Sequence, residues 1–299
     1  MQPDKSKSDV TPDPRKADLD QWVSAYLGAQ VVGETASADA SFRRYFRYQH
    51  DGRSLVAMDA PPSHEDCRPF IDVAGRLDAA GVHVPKIVHQ DLAQGFLLLT
   101  DMGTETWLHA LNETNADSWY SAAIGTLITQ QQHAEVAGLP VYDEALLQRE
   151  LELFPQWYLF RHREMVVTGE LRQRLDRVFD RLIDSALAQP RVFVHRDYMP
   201  RNLMVSEPNP GVIDFQDAVA GPITYDVISL FKDAFLSWPE ARVLNWLLEY
   251  FDKATAAGLP VPKDFDTFLR DCDLMGAQRH IKVIGIFARI CHREGKPKY

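Results

Sequence analysis

Apolar and polar positions repeat with two different periods along this chain. From residue 17 to 27 the spacing is helical, with Trp22, Val23, Tyr26 and Leu27 on one face and Gly28 just beyond them. The next seventy residues read mostly as short strands. Residues 30–33 predict the first strand. Phe46 and Tyr48 alternate with Tyr45, Arg47 and His50 in a second, and the Asp51-Gly52 hairpin signal leads into a third over 54–58. A helix is predicted over 64–80, with Phe70, Ile71, Ala74 and Leu77 facing inward. Residues 85–88 and 96–100 predict two further strands joined through Gly95.

Beyond residue 100 the helical period takes over. Asn115 opens a helix with Trp119, Ala123, Ile124, Leu127 and Ile128 in step, which Gly138-Leu139-Pro140 stops. Another starts at Asp143 and is interrupted by Pro155. A third carries Leu171, Leu175, Val178, Phe179 and Leu182 and ends before Pro190. Gly221-Pro222 turns the chain into a helix near Asp226. Ser237-Trp238-Pro239-Glu240 has the form of a capping box, followed by Val243, Leu244, Leu247 and Phe251. A last helix is predicted over 266–291. No period of 20–50 residues recurs, so repeat architectures are excluded. The pattern predicts an α+β fold with a small antiparallel-sheet lobe over 17–102 and a larger, mostly helical lobe over 103–299. Residues 1–16 are polar and proline-rich, and are expected to be a mobile tail.

Composition narrows the class. The chain has 299 residues, 45% of them hydrophobic, which is enough to fill two lobes. Its apolar runs are too short to span a bilayer and no secretory signal opens it, so no membrane role is expected. Cys67, Cys272 and Cys291 are widely spaced and odd in number, which points away from a disulfide framework and toward a reducing cytoplasm. No Cys/His group has zinc spacing along the chain. A net charge of −10 disfavours nucleic acid as a partner, and nothing implies an obligate protein partner.

The chemistry concentrates between residues 194 and 227. His195-Arg196-Asp197 is followed by Asn202 at the spacing of a phosphotransferase catalytic loop. Leu203-Met204-Val205 and Val212-Ile213 flank the turn residues Pro208, Asn209, Pro210 and Gly211. The segment therefore predicts a β-hairpin that returns Asp214 beside Asn202. One carboxylate, Asp197, suits the orientation of an attacking hydroxyl. An amide oxygen, Asn202, and a second carboxylate, Asp214, suit Mg²⁺ on the phosphates of ATP. Phe215 follows Asp214 as in Asp-Phe-Gly, with Gln216 in place of the glycine. His195 is expected to support the loop rather than act as a base.

A small β lobe, a crossover and a helical lobe carrying these residues together resemble the aminoglycoside phosphotransferase and choline kinase superfamily, which has the bilobal protein-kinase-like fold. Gly221-Pro222-Ile223-Thr224-Tyr225-Asp226 after Asp214 also fits, whereas the activation segment of protein kinases is missing. Further stretches resemble the bacterial anomeric amino-sugar kinases of peptidoglycan recycling. These are Asp39 through Phe46, Met58-Asp59-Ala60-Pro61-Pro62, Leu153 through Tyr158, Phe215-Gln216-Asp217-Ala218 and Gln278 through Val283. That resemblance implies ATP-dependent phosphorylation of N-acetylmuramate or N-acetylglucosamine at the C1 hydroxyl, with Mg²⁺. Relatives often run on past this C-terminus, which implies a shortened end.

By the same resemblance, Ser41, Phe42, Arg43 and Arg44 stand where a kinase carries its phosphate-covering loop, although no glycine follows Gly33. The alternative for the two arginines is a solvated edge. Asp101 and Met102 mark the crossover whose backbone binds adenine in kinases. Gln216 and Asp217 are expected on the acceptor side, and Trp157 either stacks on a sugar face or packs in the core. Arg161, Arg279 and His280 are candidates for the muramate carboxylate, and Arg201 for the γ-phosphate or a structural carboxylate. Aligning Val56-Ala57-Met58 with the kinase strand that ends in lysine puts Asp59 at the lysine position, so a phosphate cation has to come from elsewhere. Two competing readings stay open: a kinase for cationic aminoglycosides or choline, and a pseudokinase that only binds nucleotide.

Overall fold

The computed structural model describes residues 13–38 and 42–298. Two units divide the chain. One holds the residues up to Arg68 together with Pro85–Asp101; the other holds Pro69–Val84 and everything from Met102 onward.

The first unit starts with helix α1 (Pro14–Leu27), so the helix begins inside the stretch expected to be tail. Asp13 makes the difference. Its carboxylate accepts the Lys16 N–H at 3.1 Å, and Pro14 occupies the first helical turn, where no N–H is needed. Gly28 closes the helix at φ +68°. Leu19 and Val23 are the buried face, and they pack on Phe46, Tyr48, Ala57, Phe96 and Leu98. Tyr26, expected inside, is exposed and stacks on His89.

Among the described residues this unit carries a five-stranded antiparallel sheet in the order β1-β2-β3-β5-β4. The strands are β1 (Glu34–Ala38), β2 (Arg44–His50), β3 (Arg53–Asp59), β4 (Ile87–Asp91) and β5 (Phe96–Thr100). The Asp51-Gly52 hairpin is as expected, with both residues at positive φ and His50 facing Arg53. The first strand is not over 30–33 but four residues later. Residues 31–33 are held by α1 instead: Val31 N–H donates to Ser24 Oγ at 3.0 Å and Gly33 N–H to Asp20 at 3.0 Å. A Cβ at residue 33 would meet the Tyr48 ring at 2.5 Å, so only glycine fits there. β4 is likewise shifted toward the C-terminus of the expected 85–88, where Pro85 offers no donor.

In the second unit, α2 (Arg68–Ala79) buries Phe70, Val73, Ala74 and Leu77. The expected lobe boundary placed this helix with the sheet. It groups with the second unit because Phe70 packs on Phe215 at 4.9 Å and the His83 carbonyl accepts from Val212 N–H at 2.8 Å. The helices that follow are α3 (Trp107–Ala110), α4 (Ala116–His133), α5 (Glu144–Leu151), α6 (Gly169–Leu187), α7 (Thr224–Phe231), α8 (Glu240–Ala256) and α9 (Phe265–Arg293). Pro155 does interrupt α5. The chain then winds into a π-helical segment, Phe154–His162, closed by a five-residue bond from Arg163 N–H to the Tyr158 carbonyl. The capping box at Ser237 is absent. α8 starts two residues later behind Pro239, which has no side-chain cap, while the Trp238 Nε1–H donates to Tyr120 Oη at 3.0 Å. Two short antiparallel pairs complete the unit: β6 (Arg191–Val194) with β9 (Val219–Pro222), and β7 (Leu203–Met204) with β8 (Gly211–Val212).

Candidate active site

The buried strand β6 delivers the chain to His195-Arg196-Asp197, and one turn of 3₁₀ helix (Pro200–Asn202) leads into β7. The β7–β8 register pairs Leu203 with Val212 and Met204 with Gly211. A Cβ at residue 211 would meet Met102 Cε at 2.4 Å and Ser206 Oγ at 2.6 Å, so those two side chains pack directly on the glycine. The hairpin is pinned at its open end by Ile213 N–H donating to the Asn202 carbonyl at 3.1 Å. Asp214 follows at φ +64°, a conformation that aspartate tolerates better than most residues.

This folding brings the three predicted residues together. Asn202 Nδ2 donates to the Asp197 carbonyl at 3.0 Å and to Asp214 Oδ2 at 3.3 Å. Asn202 is buried, Asp197 half-buried and Asp214 exposed. With its nitrogen so engaged, the Asn202 amide presents its oxygen as a ligand. Asp214 accepts from Gln216 Nε2 on Oδ1 at 2.8 Å and from Asn202 on Oδ2, and an ionised carboxylate is an acceptor-only, hard-oxygen group. This hard-oxygen donor set fits Mg²⁺.

The loop is held from behind. His195 is fully buried. Its Nδ1 accepts from Asp197 N–H at 3.3 Å and its Nε2–H donates to the Ile213 carbonyl at 3.0 Å, which defines the neutral imidazole. Burial pushes the His195 pKa down, as expected for a structural residue. Asp226 lies in the first turn of α7, fully buried, and accepts the backbone N–H of His195 at 2.6 Å and of Arg196 at 3.0 Å. These bonds hold Arg196 at φ +76°, which is costly for a bulky residue. Burial raises the Asp226 pKa to about 6.

The sequence reading missed a buried ion group beneath this loop. Glu150 of α5 accepts from Arg196 at 2.5 Å and from Lys282 of α9 at 2.9 Å, and Tyr142 Oη–H also donates to it. Burial alone would raise the Glu150 pKa, but Lys282 and Arg196 outweigh it and hold it low. Lys282 also donates to Tyr225 Oη at 2.8 Å. The available signal was Arg196 itself, a charged residue next to a buried histidine and in need of a counter-ion.

The remaining candidates divide. Gln216 is buried against Asp214, with its Oε1 lacking a partner among the described residues, and Asp217 is exposed. Arg279 is buried against the loop, its Nη2 3.7 Å from Met199 Sδ and its guanidinium over the Tyr225 ring; its Nε lacks a partner among the described residues. Its neighbour His280 is exposed and bonds the Lys232 carbonyl at 2.9 Å. Trp157 is half-buried on the π-helical segment, Arg161 is exposed there, and Arg201 lies over the Phe235 ring.

In the first unit, Ser41 lies outside the described residues. Phe42 is exposed and stacks on His64. Arg43 pairs with Glu65 at 3.0 Å. Arg44 pairs with Asp13 and, at 2.5 Å, with Asp59. Asp101 accepts both Arg47 Nε at 2.6 Å and Arg47 Nη2 at 3.0 Å. Asp59, at the strand position of the kinase lysine, has no exposure and is bracketed by Arg15 and Arg44.

A model of the phosphotransferase enzyme family matches residues 32–266, and the chain belongs to that family. The chain is 58% identical over 302 residues to the N-acetylmuramate/N-acetylglucosamine kinase of Pseudomonas aeruginosa, covering 97% of this chain and 89% of that one. Proteins of the same name from Pseudomonas putida and Neisseria meningitidis are 60% and 45% identical, over 88% and 95% of this chain and 78% and 86% of theirs. Two solved structures share the fold. A ternary complex of the aminoglycoside phosphotransferase APH(2")-IIa with streptomycin and ATP has a TM-score of 0.63 at 15% identity, covering 92% of this chain and 91% of that one. The choline kinase LicA of Streptococcus pneumoniae has a TM-score of 0.61 at 14% identity, covering 96% of this chain and all of that one.

Proposed function

We propose that this chain is an ATP-dependent kinase that phosphorylates the C1 hydroxyl of N-acetylmuramate and N-acetylglucosamine. The observation that carries the chemistry is the Asp197–Asn202–Asp214 cluster on its hairpin. The sugar comes from the relatives at 45–60% identity. Asp197 hydrogen-bonds the C1 hydroxyl and takes its proton as the sugar oxygen bonds to the γ-phosphorus. The bond from that phosphorus to the β–γ bridging oxygen breaks, and ADP leaves with the electron pair. Asn202 and Asp214 would hold Mg²⁺, which would supply neutralisation of phosphate charge. Arg279, with an unpartnered buried nitrogen beside the loop, is assigned to a sugar oxygen; Asp217, Trp157 and Arg161 are further sugar-side candidates. Phe42, Arg43, Arg44 and the backbone at Asp101 and Met102 are assigned to ATP. Most of the rate comes from alignment, since the transfer asks little covalent chemistry of the protein.

The test is ADP release with N-acetylmuramate, N-acetylglucosamine, kanamycin and choline, each alone. Turnover is expected with the two amino sugars only. The 1-O-methyl glycoside of N-acetylglucosamine, with C6 free and C1 blocked, is expected to be inert, and phosphorus NMR of the product should show coupling to the anomeric proton. Turnover of the methyl glycoside at a comparable rate would overturn the C1 assignment. Turnover of kanamycin or choline alone would overturn the substrate class.

A further inference from the structure

Beyond the phosphoryl-transfer residues, the π-helical segment and the end of α9 bring together three side chains that the reaction does not use. The two elements run side by side because of Gly285. A Cβ there would lie 2.5 Å from the Leu153 backbone carbon and 2.6 Å from Phe154 N, so the backbones are as close as glycine allows. Two helical turns further along α9 stand Cys291 and His292, and the last residue of the π-helical segment is His162. His162 Nδ1 and His292 Nε2 are 3.2 Å apart, and a ring nitrogen of each histidine and Cys291 Sγ all lie within 4.8 Å of one another.

We propose that His162, Cys291 and His292 form a zinc-binding site that clips the end of α9 to the π-helical segment. Zn–N bonds of ~2.0–2.1 Å at a tetrahedral angle place two nitrogens about 3.3 Å apart, and a Zn–S bond of ~2.3 Å places nitrogen and sulfur about 3.6 Å apart. The imidazole pair already has the first spacing; the sulfur needs only a side-chain adjustment. Two imidazoles and a thiolate are a borderline-soft donor set suited to zinc and unsuited to Mg²⁺. The competing account is a plain N–H···N bond between two neutral histidines, which explains their spacing but gives the cysteine no role. Tyr158 stacks on the His162 ring at 5.6 Å and 18°, which steadies the ligand plane. The neighbouring Arg293 is paired with Glu294 at 3.1 Å, so its charge is compensated. On binding, Cys291 Sγ–H loses its proton to solvent and the thiolate bonds the metal, with water in the fourth position. His162 and Cys291 lie 129 positions apart, so no zinc spacing exists along the sequence.

The test uses the full chain, free of nucleotide, titrated with Zn²⁺ and, as a spectroscopic reporter, Co²⁺. One ion per chain is expected, with a tetrahedral cobalt d–d spectrum and a thiolate-to-cobalt charge-transfer band. His162→Ala, Cys291→Ser and His292→Ala should each weaken binding about 100-fold or more, while Cys67→Ser should not. Millimolar Mg²⁺ should not displace the ion. In the unmodified chain, saturating Zn²⁺ should slow alkylation of Cys291 at least tenfold, roughly the loss of free thiolate that ligation implies, and chelator should restore it. A cobalt complex with no thiolate band, unchanged affinity in Cys291→Ser, or Cys291 alkylation indifferent to zinc would each overturn the site.

Discussion

At the scale of single residues, two aspartates at motif positions have opposite surroundings. Asp197 is half-buried beside the hairpin, and its only assigned work is on the acceptor hydroxyl. Asp197→Asn keeps the shape and removes the base. Its kcat is expected to fall by about 10²–10⁴ while Mg²⁺–ADP affinity changes less than about threefold, as rapid-quench kinetics and calorimetry would show. Near-normal turnover would refute the assignment. Asp59 is different. Protein kinases carry a lysine at its strand position, and here a buried carboxylate faces Arg44 across the β2–β3 register, with Arg15 on its other side. Restoring the lysine does not repair a kinase. Asp59→Lys sets three cations together around a buried position and should cost about 3 kcal/mol or more, against a smaller loss for Asp59→Asn. Urea denaturation compares the two, and equal stability would show that the pairing is not what holds Asp59.

At the scale of elements, α7 controls the loop through one group. Asp226 in its first turn accepts two loop N–H groups, and its pKa is about 6 against an ordinary 3.8, with burial as the main cause. For an acid whose pKa is raised on folding, the native state binds the proton more tightly. The native state therefore holds more protons than the unfolded chain between about pH 4 and 6, and stability from this group falls as pH rises through that window. At ~1.4 kcal/mol per unit, a shift of about two units amounts to roughly 3 kcal/mol. Other carboxylates titrate in the same range, so a difference is needed. The stability of the wild type relative to Asp226→Asn should be about 2 kcal/mol more favourable near pH 4 than near pH 7. A pH-independent difference would place the Asp226 titration elsewhere. The same elements show how a break in regular structure is used: Pro155 ends the α-type ladder, and the wider π-helical turn that follows reaches His162 toward the end of α9.

At the scale of the whole molecule, binding and stability are linked. A ligand that binds only the folded chain stabilises it by about 2.7 kcal/mol at a hundred times its Kd. For a chain of this size, with an unfolding entropy of about 2.1 cal/mol/K per residue, that is a rise of roughly 4–5 °C in Tm. Mg²⁺–ADP should produce such a rise, ADP with chelator much less, and Asp214→Ala should remove the difference between them. Equal stabilisation with and without Mg²⁺ would mean that Asn202 and Asp214 do not hold the ion. No helix among the described residues is long and apolar enough to cross a membrane, in keeping with the short apolar runs of the sequence.

The sequence by itself determined what is local. The His195-to-Asp214 hairpin needs only its own strands and turn residues, so the meeting of Asp197, Asn202 and Asp214 could be placed from spacing alone. The Asp51-Gly52 turn and the long helices were readable for the same reason, since each period repeats within one window. Tertiary structure decided wherever a distant partner competes. Residues 31–33 have strand composition, but Ser24 and Asp20 of α1 claim their N–H groups, and the strand moves to Glu34–Ala38. Gln216 reads as an acceptor-side residue from its place after Asp214, and only the folded hairpin shows that its nitrogen donates to Asp214. Glu150 and Arg196 are 46 positions apart and Glu150 and Lys282 are 132 apart, yet they form one buried ion group. A charge inside a protein is tolerated only with a counter-charge, and which residue supplies it depends on how helices pack, something no local period records.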